Sequence, residues 1–114
     1  MDLIKLSIAN NYSKTPGPRN KKEGDFSGED FRENLLLPTF RTAISERKKL
    51  EINLDGTAGY GTSFLEEAFG GIVRSGFFDS ETLLDNIIII STEEEYLIND
   101  IKDYIKDAEK DRKK

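Results

Sequence analysis

The tightest constraint on this chain is a change of hydrophobic period between residues 50 and 90. Leu50, Ile52 and Leu54 alternate with Glu51, Asn53 and Asp55, the pattern of a strand with one dry face. A glycine-rich loop follows, Asp55-Gly56-Thr57-Ala58-Gly59-Tyr60-Gly61. Phe64, Leu65, Ala68, Phe69, Ile72 and Val73 then fall at helical spacing, and Gly76 is placed to end that helix. Asn86 to Ile90 is a β-branched apolar run, read as a strand buried on both faces. Two strands joined by a helix run parallel with a right-handed crossover.

The flanks extend this pattern. Ile4, Leu6 and Ile8 alternate with Lys5 and Ser7, giving a half-buried strand. Residues 10–26 form a long polar loop that contains Pro16-Gly17-Pro18 and the basic cluster Arg19-Asn20-Lys21-Lys22; so long an irregular stretch is commonly functional. Ser27 is placed to cap a helix whose inner face is Phe31, Leu35, Leu36, Phe40, Ala43 and Ile44. Pro38 inside that pattern predicts a kink or break near Leu37. Asp79 to Leu84 reads as a short helix or turn. Ser91 with Glu94, or Thr92 with Glu95, is placed to open a last helix lined by Leu97, Ile101, Tyr104, Ile105 and Ala108. Residues 110–114 read as a flexible, basic tail. The whole, 1–114, is one domain of α/β class.

Composition excludes several chemistries. The chain has no Cys and no His, so it cannot build a disulfide, a thiolate nucleophile or a Ser-His-Asp triad from its own residues. Any metal would be a hard, oxygen-liganded one, and the sequence predicts neither metal nor cofactor. A net charge of −5 argues against nucleic acid as main partner. The longest apolar run, Ile87 to Ile90, is far too short to cross a bilayer. With no leader-like segment at Met1-Asp2-Leu3-Ile4-Lys5, the expected location is the cytoplasm.

Candidate site residues cluster on the glycine-rich loop: Asp55, Gly56, Thr57, Gly59, Tyr60, Gly61, Thr62, Ser63 and Glu66, with Arg19 and Arg32 as candidate anion partners. A loop from a strand end to a helix start is where ligands of open α/β sheets bind, and its amides suit an anion. It matches neither nucleotide fingerprint. Thr62 stands where a phosphate loop has lysine, and Phe64 replaces the third glycine of the dinucleotide motif. The simplest role for Ser63 is a helix cap in a capping box with Glu66. Glu66 and Glu67, adjacent on a helix, should point apart, which makes them a poor acid–base pair. Asp55 is expected to hold loop amides, Arg19 and Arg32 to form surface pairs, and Tyr60 either to anchor a partner or to tuck inward. Gly70-Gly71 inside a helix argues for close packing there. No catalytic residue is assigned, and a hydrolase acting through Asp55, Glu66 and Glu67 is disfavoured because those carboxylates are not expected to converge.

Pro16-Gly17-Pro18-Arg19, Ser27-Gly28-Glu29 with Phe31-Arg32, Leu36-Leu37-Pro38, and the block from Leu54-Asp55-Gly56-Thr57 through Gly59-Tyr60 to Ser63-Phe64-Leu65-Glu66-Glu67-Ala68-Phe69-Gly70-Gly71 resemble the bacterial STAS-like domain family of unknown function, over about residues 3 to 108. STAS domains take their name from sulphate transporters and anti-sigma-factor antagonists. The resemblance implies a mixed sheet of about four strands with helices mainly on one face. It also implies a regulatory module that binds a protein partner, often a histidine-kinase-like ATPase. In regulatory STAS proteins that partner phosphorylates a Ser or Thr at the start of the helix after the second core strand; Thr62 and Ser63 are the corresponding candidate phosphosites. Those proteins carry Asp-Ser-Ser-Gly or similar, and Gly61-Thr62-Ser63-Phe64 stands here instead. The alternative reading is a small-ligand domain holding a nucleotide or other anion on the glycine-rich loop. An exposed sheet face and edge strand would also support a homodimer.

Overall fold

The computed structural model describes residues 2–112, the Thr62 side chain excepted. Strands β1 (Leu3–Ser7), β2 (Lys49–Asn53) and β3 (Ile87–Ile90) form one sheet in the order β1-β2-β3, and both pairings are parallel. Between β1 and β2 lie α1 (Ile8–Asn11), a 3-10 turn (Lys21–Glu23), α2 (Gly28–Phe31), a π-helical turn (Arg32–Leu36) and α3 (Leu37–Ser45). Between β2 and β3 lie α4 (Thr62–Leu65), a second π turn (Glu66–Gly70), α5 (Gly71–Arg74) and α6 (Ser80–Asn86). The last helix is α7 (Tyr96–Arg112).

The α/β class and the three strands read from periodicity are present. The expected mixed sheet of about four strands is not: among the described residues there are three, all parallel. β1 and β2 each feed a helical crossover that returns the chain to the same end of the sheet, so neighbours must run the same way.

Register partners share a face. Ile4, Leu50 and Ile87 make one row and Leu6, Ile52 and Ile89 the next. Leu6, Leu50 and Ile52 are buried, and Ile4, Ile87 and Ile89 pack on the same core. The opposite face carries Lys5, Glu51 and Ile88 in register, with Lys5 exposed. Helices therefore cover one face, as expected. Four phenylalanines, Phe31, Phe40, Phe64 and Phe69, are fully buried beneath them, and Phe31 stacks on Phe64 with ring centroids 5.7 Å apart. β3 differs from its reading as a strand buried on both faces. Every one of its isoleucines is only half-buried, because the chain winds steadily from β1 to β3 and leaves the last strand at the edge.

Local signals account for most boundaries. Ser27 Oγ accepts the Asp30 amide at 3.0 Å, as its cap role predicts. Gly76, at φ +80°, ends the helical segment, with the Phe77 amide donating back to Ile72 O. Asp79 caps α6. Pro38 produces no break. The Leu37 amide reaches back five residues to Arg32 O, and this widened turn admits the proline ring while the helical path runs on through 28–45.

The last helix starts at Tyr96, later than Ser91 or Thr92; Ser91 Oγ instead donates to Glu94 O at 2.8 Å. Residues 110–112 of the expected tail are the end of α7, and Lys113 and Lys114 lie outside the described residues.

Candidate functional site

Two segments that sequence places far apart meet here. The expected 10–26 loop begins as the end of α1 and contains the 3-10 turn. It folds back on itself through Gly17 N–H donating to Phe26 O at 2.8 Å, and runs alongside α2 through Gly28 N–H donating to Pro18 O at 2.9 Å. The Ala58 amide of the glycine-rich loop donates to Lys14 O at 2.8 Å. Tyr12 bridges inward: its hydroxyl donates to Asp30 Oδ2 at 2.6 Å, and burial, then the Asp30 contact, raise its phenol pKa.

An ion cluster holds this junction together. Arg19 Nη1 reaches Glu66 Oε1 at 2.5 Å and Glu67 Oε1 at 3.1 Å. Arg74 pairs with Glu66 Oε2 at 2.5 Å and with Glu67 Oε1 at 3.5 Å. Arg32 Nη1 donates to Glu67 Oε2 at 2.5 Å and to the Glu67 carbonyl at 2.7 Å. Glu66 and Glu67 thus share two arginines, contrary to the expectation that they point apart. Both lie in the second π turn, and Arg19 and Arg74, from opposite sides in sequence, each reach both carboxylates. Arg32 is no surface residue either: only 6% of it is exposed. It leaves the first π turn and crosses to the second. The Gly70-Gly71 pair explains how. A Cβ on Gly71 would come 2.9 Å from Arg32 Cζ and 3.1 Å from its Cδ, and would overlap the guanidinium. The glycine is the slot for the arginine.

All four carboxylate oxygens of the pair face a guanidinium. Burial pushes the Glu66 carboxyl up, but Arg74 and then Arg19 outweigh it, and its pKa lies below the ordinary 4.5. Such a group contributes stability fully above its unfolded pKa, and the contribution is lost as pH falls through the folded one. Glu66→Gln should therefore melt below the native protein at pH 7 and lose less of its melting temperature between pH 5 and 3. Parallel melting curves across that range test this.

The glycine-rich loop is occupied by its own bonds. Asp55, read as a holder of loop amides, accepts the Thr92 amide at 2.9 Å, the Thr92 hydroxyl at 2.6 Å and the Glu93 amide at 3.0 Å. The Thr92 hydroxyl, then the Glu93 amide, lower its pKa. In return the Gly56 amide donates to Glu93 Oε1 at 2.9 Å, and the Gly59 amide to Thr57 Oγ1 at 3.3 Å. Gly56 and Gly59 take φ of +93° and +132°, which favours glycine at both. Tyr60 tucks inward. Its hydroxyl donates to Leu54 O at 2.7 Å, its ring lies 5.9 Å from Phe64, and burial pushes its phenol up to about 12.

α4 begins at Thr62, so partly exposed Ser63 stands inside the first turn and is not the cap. Its expected box partner Glu66 is turned to Arg19 and Arg74. Asp55 faces Thr92 while Glu66 and Glu67 face arginines, so the three carboxylates do not converge.

Two participants escaped the sequence reading. Arg74 carried no motif. Phe26 is 47% exposed yet sits at φ +56°, a strained left-handed conformation for an aromatic residue. It packs edge-on to Tyr12 at 5.7 Å and lines a hollow of about 380 Å³ with Lys21, Asp25 and Asp30. Exposure plus positive φ is visible only in three dimensions.

A one-layer parallel sheet with helices on one face, and a loop-to-helix junction held by partly buried ion pairs, make this a small α/β domain. Residues 27–97 match the family described as a STAS-like domain of unknown function, and the chain belongs to that family. No curated protein and no solved structure matches it. Among the described residues, no helix is long and apolar enough to cross a membrane, and no group of three or more Asp or Glu is placed to hold a metal ion.

Proposed function

We propose that this domain is a regulatory protein-binding module of the anti-sigma-factor-antagonist type, without enzymatic activity, that works in the cytoplasm with a histidine-kinase-like ATPase. The observation that carries this reading is the fusion of the 10–26 loop and the 55–63 loop into one braced surface by Arg19, Glu66 and the Ala58–Lys14 bond. A surface held rigid before contact loses little entropy on binding. Phe26 supplies an exposed aromatic anchor beside it. Ser63 and Thr62 stand in the first turn of α4, where a phosphate is electrostatically tolerated and would change the surface without unfolding it.

The rival reading, a nucleotide or anion on the glycine-rich loop, has less support. The amides of Gly56, Ala58 and Gly59 already have acceptors, and the carboxylates of Asp55 and Glu93 lie in the loop's own bonds. The strands also follow one another in order across the sheet, so among the described residues there is no reversal point of the sort where such ligands settle.

Pull-down of the tagged protein from its native cell, with mass spectrometry of partners and intact bait, tests the proposal. A histidine-kinase-like ATPase should be recovered with native bait. It should be lost with Phe26→Ala or Ser63→Glu and retained with the distant Lys106→Ala. Recovery of the bait alone, or undiminished capture by both surface variants, would overturn it.

A further inference from the structure

The edge strand β3 offers a second surface, unrelated to the glycine-rich loop. Ile90 O accepts the Leu54 amide, so Ile88 and Ile90 direct their backbone groups toward β2. Strand alternation then turns the N–H and C=O of Ile87 and Ile89 outward. Among the described residues no bond is made to these outward groups. The strand has no charge and no proline, the usual guards of an open edge. Beside it run two connected apolar grooves. One, of about 230 Å³, is lined by Leu84, Ile87, Ile88, Ile89, Ile98 and Lys102. The other, of about 410 Å³, takes in Ile89, Ile90, Ile98, Asn99 and Glu95.

The flanking helix decides what fits. Ile98 and Lys102 lie one helical turn apart on α7 with Asn99 beside them, and Glu95 immediately precedes the helix, so the four line the same edge. Lys102 lies at the Ile87 end and Glu95 at the Ile90 end. Both are exposed, and among the described residues neither has an ion-pair partner. We infer that β3 pairs antiparallel with β3 of a second copy about a two-fold axis, joining two three-stranded sheets into one of six. A two-fold contact must be self-complementary, and this one is. The axis sets Lys102 of each copy against Glu95 of the other, with the two Ile98 side chains between them. With Ile88 opposed to Ile88 across the axis, Ile87 and Ile89 of each strand exchange N–H···O=C bonds with Ile89 and Ile87 of the other.

Sedimentation equilibrium of the full chain tests this. The native protein should run at twice the 12.9 kDa of one chain at micromolar concentration. Lys102→Glu sets two like charges face to face and should raise the dissociation constant about tenfold or more, whereas adding Glu95→Lys to it should restore the dimer. Both positions are exposed, so the fold survives and circular dichroism should be unchanged. Amide exchange at Ile89 should slow as the native protein is concentrated. A single-chain mass up to hundreds of micromolar, or a dimer indifferent to Lys102→Glu, would overturn the inference.

Discussion

Gly28→Ala should lower the unfolding free energy by about 3 kcal/mol, the scale of an overpacked core position that cannot yield. Gly28 opens α2 directly after the Ser27 cap and is buried. A Cβ there would come within 3.1 Å of Phe64 Cα and carbonyl carbon and would overlap the Phe64 carbonyl oxygen. These are backbone atoms of α4, so no rotamer change relieves the contact; the two helices would have to separate. Separation would also part the Phe31 and Phe64 rings. Gly61→Ala is the contrast, because its Cβ would meet only Ser63 Oγ at 4.0 Å. It should stay within about 0.5 kcal/mol of the native protein. Urea unfolding of both variants measures the difference, and equal midpoints would refute the close approach.

The second large effect belongs to the arginine slot. Arg32→Ala should cost about 3 kcal/mol, since it strips a half-buried carboxylate of its shortest partner and leaves the Glu67 carbonyl with the Gly71 amide alone. Gly71→Ala alone should also destabilise, by about 1–3 kcal/mol, through collision with the guanidinium. In the Arg32→Ala background the obstacle is gone. There the same Gly71→Ala change should be neutral or stabilising, because alanine in a helix interior is favoured over glycine by roughly 1 kcal/mol. A double-mutant cycle reads this change of sign directly. Simple additivity would show that Gly71 and Arg32 are not coupled.

What the sequence revealed and concealed divides along the range of the interactions. Ser27, Asp79 and Gly76 act on backbone within a few residues, and each does what its type predicts. The three strands and the buried faces of α3 and α7 follow from periodicity alone. The Arg32–Glu67 pair spans 35 residues, and no local pattern announces it; the glycine pair at 70–71 hinted at close packing without naming the partner. The four isoleucines of β3 read the same whether one strand or two lie beside them, so the edge position was hidden. The helix starts at Ser63 and Ser91 failed for a shared reason: a serine near a helix start is a cap only if the backbone turns there. At Thr62 the turn comes two residues early, and at Tyr96 several late.

Asp55 ties the end of β2 to residues 37 and 38 positions further along the chain. Gly56 is secured from the same distant point. On a ribosome, therefore, the glycine-rich loop emerges long before anything exists to shape it. It stays unformed until Thr92 and Glu93 have left the exit tunnel and β3 has docked, since distant contacts come at the expense of chain freedom and form late. The loop thus takes its final shape only once β3 is in place. A nascent chain truncated before β3 would expose its apolar helices beside an unformed glycine-rich loop.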